Sequence, residues 1–237
     1  MMSSGDSYSE AFGRYARFMT EAAIDRLPLR ERKKQRTRQA FVDTALHLFT
    51  DRGFDDVTLD ELCDAVDVSK RTFFRNFTSK EDVAMAPLRQ LWAEFLADLA
   101  NRATDAGPLH RTLQNSLLAA LDRMPPDGWA DRAARSHRLA QSTPSMGAHN
   151  LQFCARTVGE ALEILGARFD IDPRVDQRPR LALDIVVAAF HCALDVWSAC
   201  ADNPETDSLA TRVRQAFDAV PEALAMTPVP RPAKAIE

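Results

Sequence analysis

The stretch TLDELCDAVDVSKRTFFRNFTSK, residues 58–80, decides the fold. Thr58 followed three residues later by Glu61 is the pattern of a capping box, in which the hydroxyl accepts from an early helical N–H and the carboxylate reaches back to the cap. A helix therefore starts at Thr58. Leu59, Leu62, Cys63 and Val66 recur at helical spacing and give it one apolar face, while Asp60, Glu61 and Asp64 point to water. Asp67 and Val68 break the pattern, and Ser69 is a good N-cap for a second short helix carrying Lys70, Arg71, Thr72, Phe73, Phe74 and Arg75. Phe73 and Phe77, four apart, share a face and anchor this helix on its neighbours. Lys70, Arg71, Thr72, Phe74 and Asn76 are then left for an external partner. Ser79 with Asp82 starts a third helix, and Lys80 in its first turn opposes the helix dipole. That arrangement makes sense where a phosphate docks at the same N-terminus.

Outward from this centre the chain reads as helices throughout. The first runs over about residues 30–52 and stops at Gly53 as its C′ residue. A long helix over about 79–101 links the two halves of the chain, and Pro87 within it signals a kink or a delayed start. Further helices are expected over 108–123, 126–141, 145–169, 177–201 and 206–226, separated by proline-marked breaks. No strand pattern appears. Ser/Gly-rich residues open a loose N-terminal arm (1–28), and a proline-rich tail closes the chain (228–237). Residues 29–83 then form a three-helix, helix-turn-helix unit and 84–227 a second helical domain, an all-α chain in two parts.

The segments ALHLFTDRGFDDVTLDELCDAV and VSKRTFFRNFTSKEDV together resemble the helix-turn-helix domain of TetR-family transcriptional regulators over roughly residues 32–83. The shared features are a basic approach to an A-x-x-L-F run (Ala45, Leu48, Phe49), Gly53 with Phe54, the Thr58 cap, Val68 and Ser69 at the turn, Thr72, the aromatic Phe74, Phe77, and Lys80 with Glu81. By resemblance Lys70, Arg71 and Thr72 fall where base edges are touched, and Phe74, Asn76 and Lys80 on the phosphate side. Lys33, Thr37, Thr58 and Ser69 join the same DNA-facing set. The family usually has tyrosine at the place of Phe74 and histidine at that of Asn76, so a phenolic hydroxyl contact is missing here. The implied partners are double-stranded DNA with an inverted-repeat operator, a second copy of the chain and a small-molecule effector; the implied role is a repressor that the effector releases.

Charge distribution agrees. The 237 residues carry a formal net charge of -4, yet residues 26–80 hold twelve Lys and Arg against nine Asp and Glu, net +3, leaving -7 elsewhere. The run RERKKQRTR, residues 30–38, concentrates the positive charge. Alone it describes a solvated helix end. Joined to the helix-turn-helix it describes a phosphate-binding approach, with an affinity that falls steeply with salt. Cys63, Cys154, Cys192 and Cys200 show neither a C-x-x-C nor a zinc spacing and fit buried thiols in a reducing compartment. The opening residues lack the continuous apolar stretch of a signal peptide. The most apolar segment, 181–200, is interrupted by Asp184, His191 and Asp195, so no membrane partner and a cytoplasmic location are expected.

The helix over 180–201 is apolar nearly all round and is therefore expected to be buried on several sides. In TetR-like proteins the last two long helices pair with those of a second subunit, which assigns Asp184, His191, Asp195 and Phe217 to a dimer interface. The helices between them and the DNA-binding unit would enclose a pocket, with Trp92, Phe95, Leu117, Leu121, Trp129, His137, Met146, Phe153, Cys154 and Val158 as candidate lining. Residues 135–162 resemble, over a looser pattern, the ligand domain of actinobacterial family members with acyl-CoA-type ligands, which suggests a hydrophobic or acyl-CoA-like effector. Arg132, Arg135 and Arg138 are then candidates to meet an anionic group, against the plainer reading of a solvated face. Asp184, His191 and Asp195, at i, i+7 and i+11, also leave room for an all-helical enzyme or carrier. That reading is the weaker, because a histidine and two carboxylates on one helix lack a nucleophile and a further fixed ligand. No catalytic residue, metal site or cofactor is assigned.

Overall fold

The structure is a computed structural model that describes residues 28–103, 107–200 and 205–228. The arm expected over 1–28 and the tail expected over 228–237 lie almost wholly outside the described residues. Those residues form ten helices and no strand: α1 (Leu29–Arg52), α2 (Leu59–Ala65), α3 (Lys70–Phe74), α4 (Lys80–Ala84), α5 (Ala86–Asn101), α6 (Leu109–Asp122), α7 (Trp129–Ser142), α8 (Pro144–Arg168), α9 (Arg178–Cys200) and α10 (Thr206–Ala225).

Helix boundaries follow the local chemistry. α1 ends because Gly53 takes φ +94°, a backbone conformation L side chains avoid, and a Cβ there would sit 3.3 Å from the Asp56 carboxylate. The capping box at α2 is complete: Thr58 Oγ1 accepts from Glu61 N–H at 3.2 Å and Glu61 Oε2 accepts from Thr58 N–H at 2.8 Å. Between α2 and α3, Asp67 turns the chain with φ +56°, a left-handed conformation that Asp tolerates better than most residues. The long linking helix is interrupted where Pro87 predicts trouble. α4 stops, Met85 sits between helices with ψ 0°, and α5 restarts with the proline in its first turn. A proline there lacks the N–H that would continue the ladder, whereas in a first turn that N–H is spare.

Two apolar cores result. The first packs Phe41, Phe49, Phe54, Leu62, Phe73 and Phe77 from α1–α3 and their turns. Phe73 stands edge-on to Phe41 with centroids 5.3 Å apart, so α3 is pinned to α1 through its inner face. The second collects α5–α10, including Leu91, Phe95, Leu117, Trp129, Phe190, Trp197 and Phe217. The cores are not separate. Leu139 of α7 and Met146 of α8 belong to the first one, and Met146 is fully buried there.

α9 departs from the all-round burial that its composition predicts. Leu183, Val186, Phe190, Ala193, Leu194 and Trp197 are buried against α6, α7, α8 and α10, while Leu181 is 58% and Val196 47% exposed and Ala188 and Cys192 also face out. Length and composition alone would let Arg178–Ala199 cross a membrane, so Asp184, His191 and Asp195 do not disqualify it as expected; 44% of its most apolar window is nonetheless buried inside the fold. One apolar stripe of α9 therefore lies uncovered.

Because Met146 fills the core of α1–α4 from α8, Met146→Ala should destabilise that unit. The expected loss is about 2–5 kcal/mol in denaturant titration, with faster amide exchange in α1; an unchanged α1 would show that the two cores are energetically separate.

Candidate nucleic-acid interface and effector cleft

α3 is five residues long and is held in place from three directions. Ser69 caps it, its side chain accepting from Thr72 N–H at 3.3 Å. Phe73 and Phe77 fix its inner face. Arg38, on α1, donates to the carbonyl of Asn76 at 2.7 Å and lies over the Phe77 ring at 4.3 Å. The outer face presents Lys70, Arg71 and Phe74, with Phe74 58% exposed although aromatic. Lys70 rests against Asp60 of α2 at 2.7 Å, and this hydrogen bond and charge raise its pKa. Thr72 and Asn76 are half-buried: the Thr72 hydroxyl lies 3.2 Å from that of Ser69, and the Asn76 amide donates to the Thr72 carbonyl at 2.8 Å. Thr58 and Ser69 are exposed, as is Lys33 on α1, while Thr37 is half-buried.

Lys80 is placed otherwise than expected. Its ammonium donates to the carbonyls of Phe54 and Val57 at 2.8 and 2.6 Å and lies 4.6 Å from the centre of the Phe54 ring. Those part-buried carbonyls belong to the turn after α1 and need a donor, which the Lys80 ammonium supplies within the fold. The N-terminus of α4 is likewise closed by the chain itself: the Ser79 hydroxyl accepts from Asp82 N–H at 3.2 Å, and Asp82 Oδ2 accepts from the N–H and Oγ1 of Thr78, just ahead of that cap, at 2.8 and 2.9 Å. Arg38 in the basic run is also turned inward and only 9% exposed. Lys33, Lys34 and Arg36 are the exposed cations of that run beyond Arg30.

In the second core, Trp92, Phe153, Cys154, Thr157, Val158 and Val187 line a narrow cleft between α5, α8 and α9 that is nearly closed, its cavity volume of about 10 Å³ being room for about one water molecule. Four of the ten expected lining residues thus meet. Phe95, Leu117, Leu121 and Trp129 are fully buried core, with the Trp129 indole donating to the Pro87 carbonyl at 3.1 Å. Met146 lies in the other core. Thr157 and Val187 escaped the sequence reading because nothing in their spacing sets them apart from ordinary helix packing. Burial pushes the Cys154 thiol up, so it stays protonated at neutral pH.

His137 and Asp195, expected in pocket and interface respectively, meet each other: His137 Nε2 lies 2.6 Å from Asp195 Oδ1, and Gln141 donates to the same oxygen at 2.8 Å. His191 is half-buried on the same side; desolvation and then the nearby His137 push its pKa down. Asp184 is paired with Arg180 at 2.7 Å. Phe217 points into its own subunit's core and is 7% exposed, because α10 turns Leu209, Val213 and Phe217 inward together. The three arginines considered for an anion have protein partners: Arg132 with Asp43 and the Asp127 carbonyl, Arg135 with Asp131, and Arg138 with the Ser198 carbonyl. Among the described residues no group of three or more His, Cys, Asp or Glu is arranged to hold a metal ion.

A capped, basic, outward helix pinned by aromatics to two others defines a helix-turn-helix DNA-binding regulator. Residues 41–86 match the profile of "Bacterial regulatory proteins, tetR family". The transcriptional regulator TcmR of Streptomyces glaucescens is 32% identical over 198 residues, covering 81% of this chain and 86% of that protein. RutR of Escherichia coli K12 is 32% identical over 91 residues, 38% of this chain and 43% of RutR. The structure of the TetR-family repressor FadR of Thermus thermophilus, solved with lauroyl-CoA, aligns with 83% of this chain and 100% of its own at 20% identity and a TM-score of 0.41. The chain belongs to the tetR family of bacterial regulatory proteins, and it is a DNA-binding transcriptional regulator.

Two outcomes follow from the interface. Arg71→Ala should cost about 1–3 kcal/mol of sequence-specific affinity where it reads a guanine. Lys80→Met should instead lower the unfolding midpoint, and its effect on DNA should track that loss; a DNA defect without a stability defect would return Lys80 to the phosphate side. The Thr58 backbone N–H, then Arg52 and the Thr58 hydroxyl, hold the Glu61 carboxyl at about 2, below its ordinary 4.5. A depressed carboxyl stabilises the fold fully above its unfolded value and loses that contribution as pH falls through the folded one. Stability should therefore drop between pH about 4.5 and 2, and Glu61→Gln should flatten that part of the profile.

Proposed function

We propose that the chain acts as a homodimeric repressor on an inverted-repeat operator and is released by an apolar small molecule that wedges open the nearly closed cleft between α5, α8 and α9. The observation that carries this reading is the outward, capped α3 combined with the uncovered apolar stripe of α9. An exposed stripe containing Leu181, Ala188, Cys192 and Val196 costs free energy in water. Pairing with the same stripe of a second copy would bury it, and a twofold axis needs only a self-complementary patch. Two recognition helices set about 34–36 Å apart by such a dimer would enter successive major grooves on one face of DNA.

In this reading residues 29–83 contact DNA, with Lys70, Arg71 and Thr72 toward base edges and Lys33, Thr37, Phe74 and Asn76 toward the backbone. Residues 84–227 bind effector and partner, and the protein works in the cytoplasm beside its DNA. The cleft's lining of two aromatics, a thiol and two valines favours a hydrophobic ligand. An acyl chain suits it better than a charged headgroup, since Arg132, Arg135 and Arg138 are engaged elsewhere. A regulator without catalysis is supported by the pairing of Asp184 and Asp195 within the chain. By linkage, effector and DNA weaken each other's binding by the same factor.

The test is selection of bound fragments from the DNA of the organism that encodes the chain, at modest ionic strength. Recovery of a common inverted repeat, bound by two copies and lost steeply as salt rises, is expected. Recovery of unrelated fragments, or binding by one copy, would refute the operator reading.

A further inference from the structure

A polar cluster lies between the DNA-reading unit and the cleft. α4 and α5 are separated by Met85 alone, and Arg89 ties them together: its guanidinium pairs with the Asp82 carboxylate, and the two side chains are 4% and 3% exposed. Asp82 also accepts from the N–H and hydroxyl of Thr78, which lies between Phe77 and the Ser79 cap of α4, so it helps to hold the entry to that helix. The same guanidinium donates to His149 Nε2 of α8 at 3.0 Å and lies 4.9 Å from the centre of the Phe153 ring. Phe153 is a wall of the cleft. One planar group thus touches the start of α4, the body of α8 and the effector cleft.

A guanidinium is rigid, and its N–H groups keep a fixed fork. Buried, it gains only where its partners stay in register, and a displaced partner leaves an uncompensated charge in a low dielectric. His149 and Phe153 are four residues apart and share a face of α8. Burial, then the charge of Arg89, pushes the His149 pKa down, so its neutral ring offers Nε2 as an acceptor to the arginine. A ligand pressing on Phe153 therefore acts on both α8 partners of Arg89 at once. Arg89 then either follows α8, pulling Asp82 from Thr78, or stays with Asp82 and loses α8.

We propose that Arg89 is the coupling residue of this regulator: occupation of the cleft at Phe153 is transmitted through its guanidinium to Asp82, loosening the entry to α4 and hence the angle of α3. The inference rests on the reading that the cleft takes the effector, and it adds the route by which the effector acts.

The experiment uses N-ethylmaleimide as the occupant. In the full-length chain carrying Cys63→Ala, Cys192→Ser and Cys200→Ser, Cys154 is the remaining thiol, and it lines the cleft. Alkylation, verified by mass, should reduce amide-exchange protection over residues 78–85 by about tenfold, within the usual range of coupling factors. The same alkylation in a chain that also carries Asp82→Asn and Arg89→Gln, which leaves no lone buried charge, should leave those amides unchanged. Cys154→Trp forces the cleft apart without a reagent and, where the chain stays folded, is expected to behave as the alkylated protein does. Equal responses with and without the Asp82–Arg89 pair, or no response in a folded, modified chain, would overturn the proposal. Fragment binding by the unmodified chain is measured in parallel. Loss of DNA binding there refutes the regulatory reading, whereas an intact DNA response with silent residues 78–85 refutes the coupling route alone.

Discussion

The joint at Met85 is the constraint on which the molecule's working depends. Pro87 has no N–H to donate back across it, so α4 and α5 meet at Met85, whose N–H bonds the Glu81 carbonyl at 2.9 Å and whose carbonyl accepts from Arg89 N–H at 3.1 Å, and side chains that span the joint help to set the relative angle of the two helices. The buried Asp82–Arg89 pair is one such contact. Such a pair contributes little net stability compared with a well-packed apolar substitute, but breaking it by moving one partner is expensive. It therefore behaves as a latch with few intermediate positions. Everything that faces DNA hangs from the α4 side of the latch, and the cleft lies on the α5 and α8 side.

The DNA-reading unit is not a free appendage. Met146 of α8 and Leu139 of α7 lie inside its core, and Arg132 of α7 reaches Asp43 of α1. Motion of α8 therefore cannot leave α1–α4 untouched. The recognition helix itself is short and has little intrinsic stability. Its orientation is inherited from Phe41, Phe73 and Phe77 and from Arg38 holding the Asn76 carbonyl.

What the sequence discloses is local. Gly53, the Thr58–Glu61 box, the Ser69 cap and Pro87 each act within one helical turn, and each appears in the structure where its chemistry requires. What it hides is long-range. Lys80 reaches carbonyls 26 and 23 residues away, His137 meets Asp195 58 residues on, and Arg138 meets the Ser198 carbonyl 60 residues on. No periodicity encodes such pairings. The inward turn of Phe217 and the outward stripe of α9 were hidden for a related reason: an all-apolar helix shows that it is buried but not against what. In the cleft, Thr157 and Val187 differ in no sequence property from the core residues beside them.

The central claim is that two copies, joined through the exposed stripe of α9, hold two α3 helices at the pitch of the double helix. It is tested most directly by a spin label at Arg75→Cys, at the exposed end of α3, in a chain whose native cysteines are replaced. The distance between the two labels is measured in the free protein and on the recovered duplex. A single narrow distance of about 34–36 Å on DNA, broader without it, is the predicted result. The absence of any intermolecular distance, or one that stays fixed at a value unrelated to the groove spacing, would contradict the account.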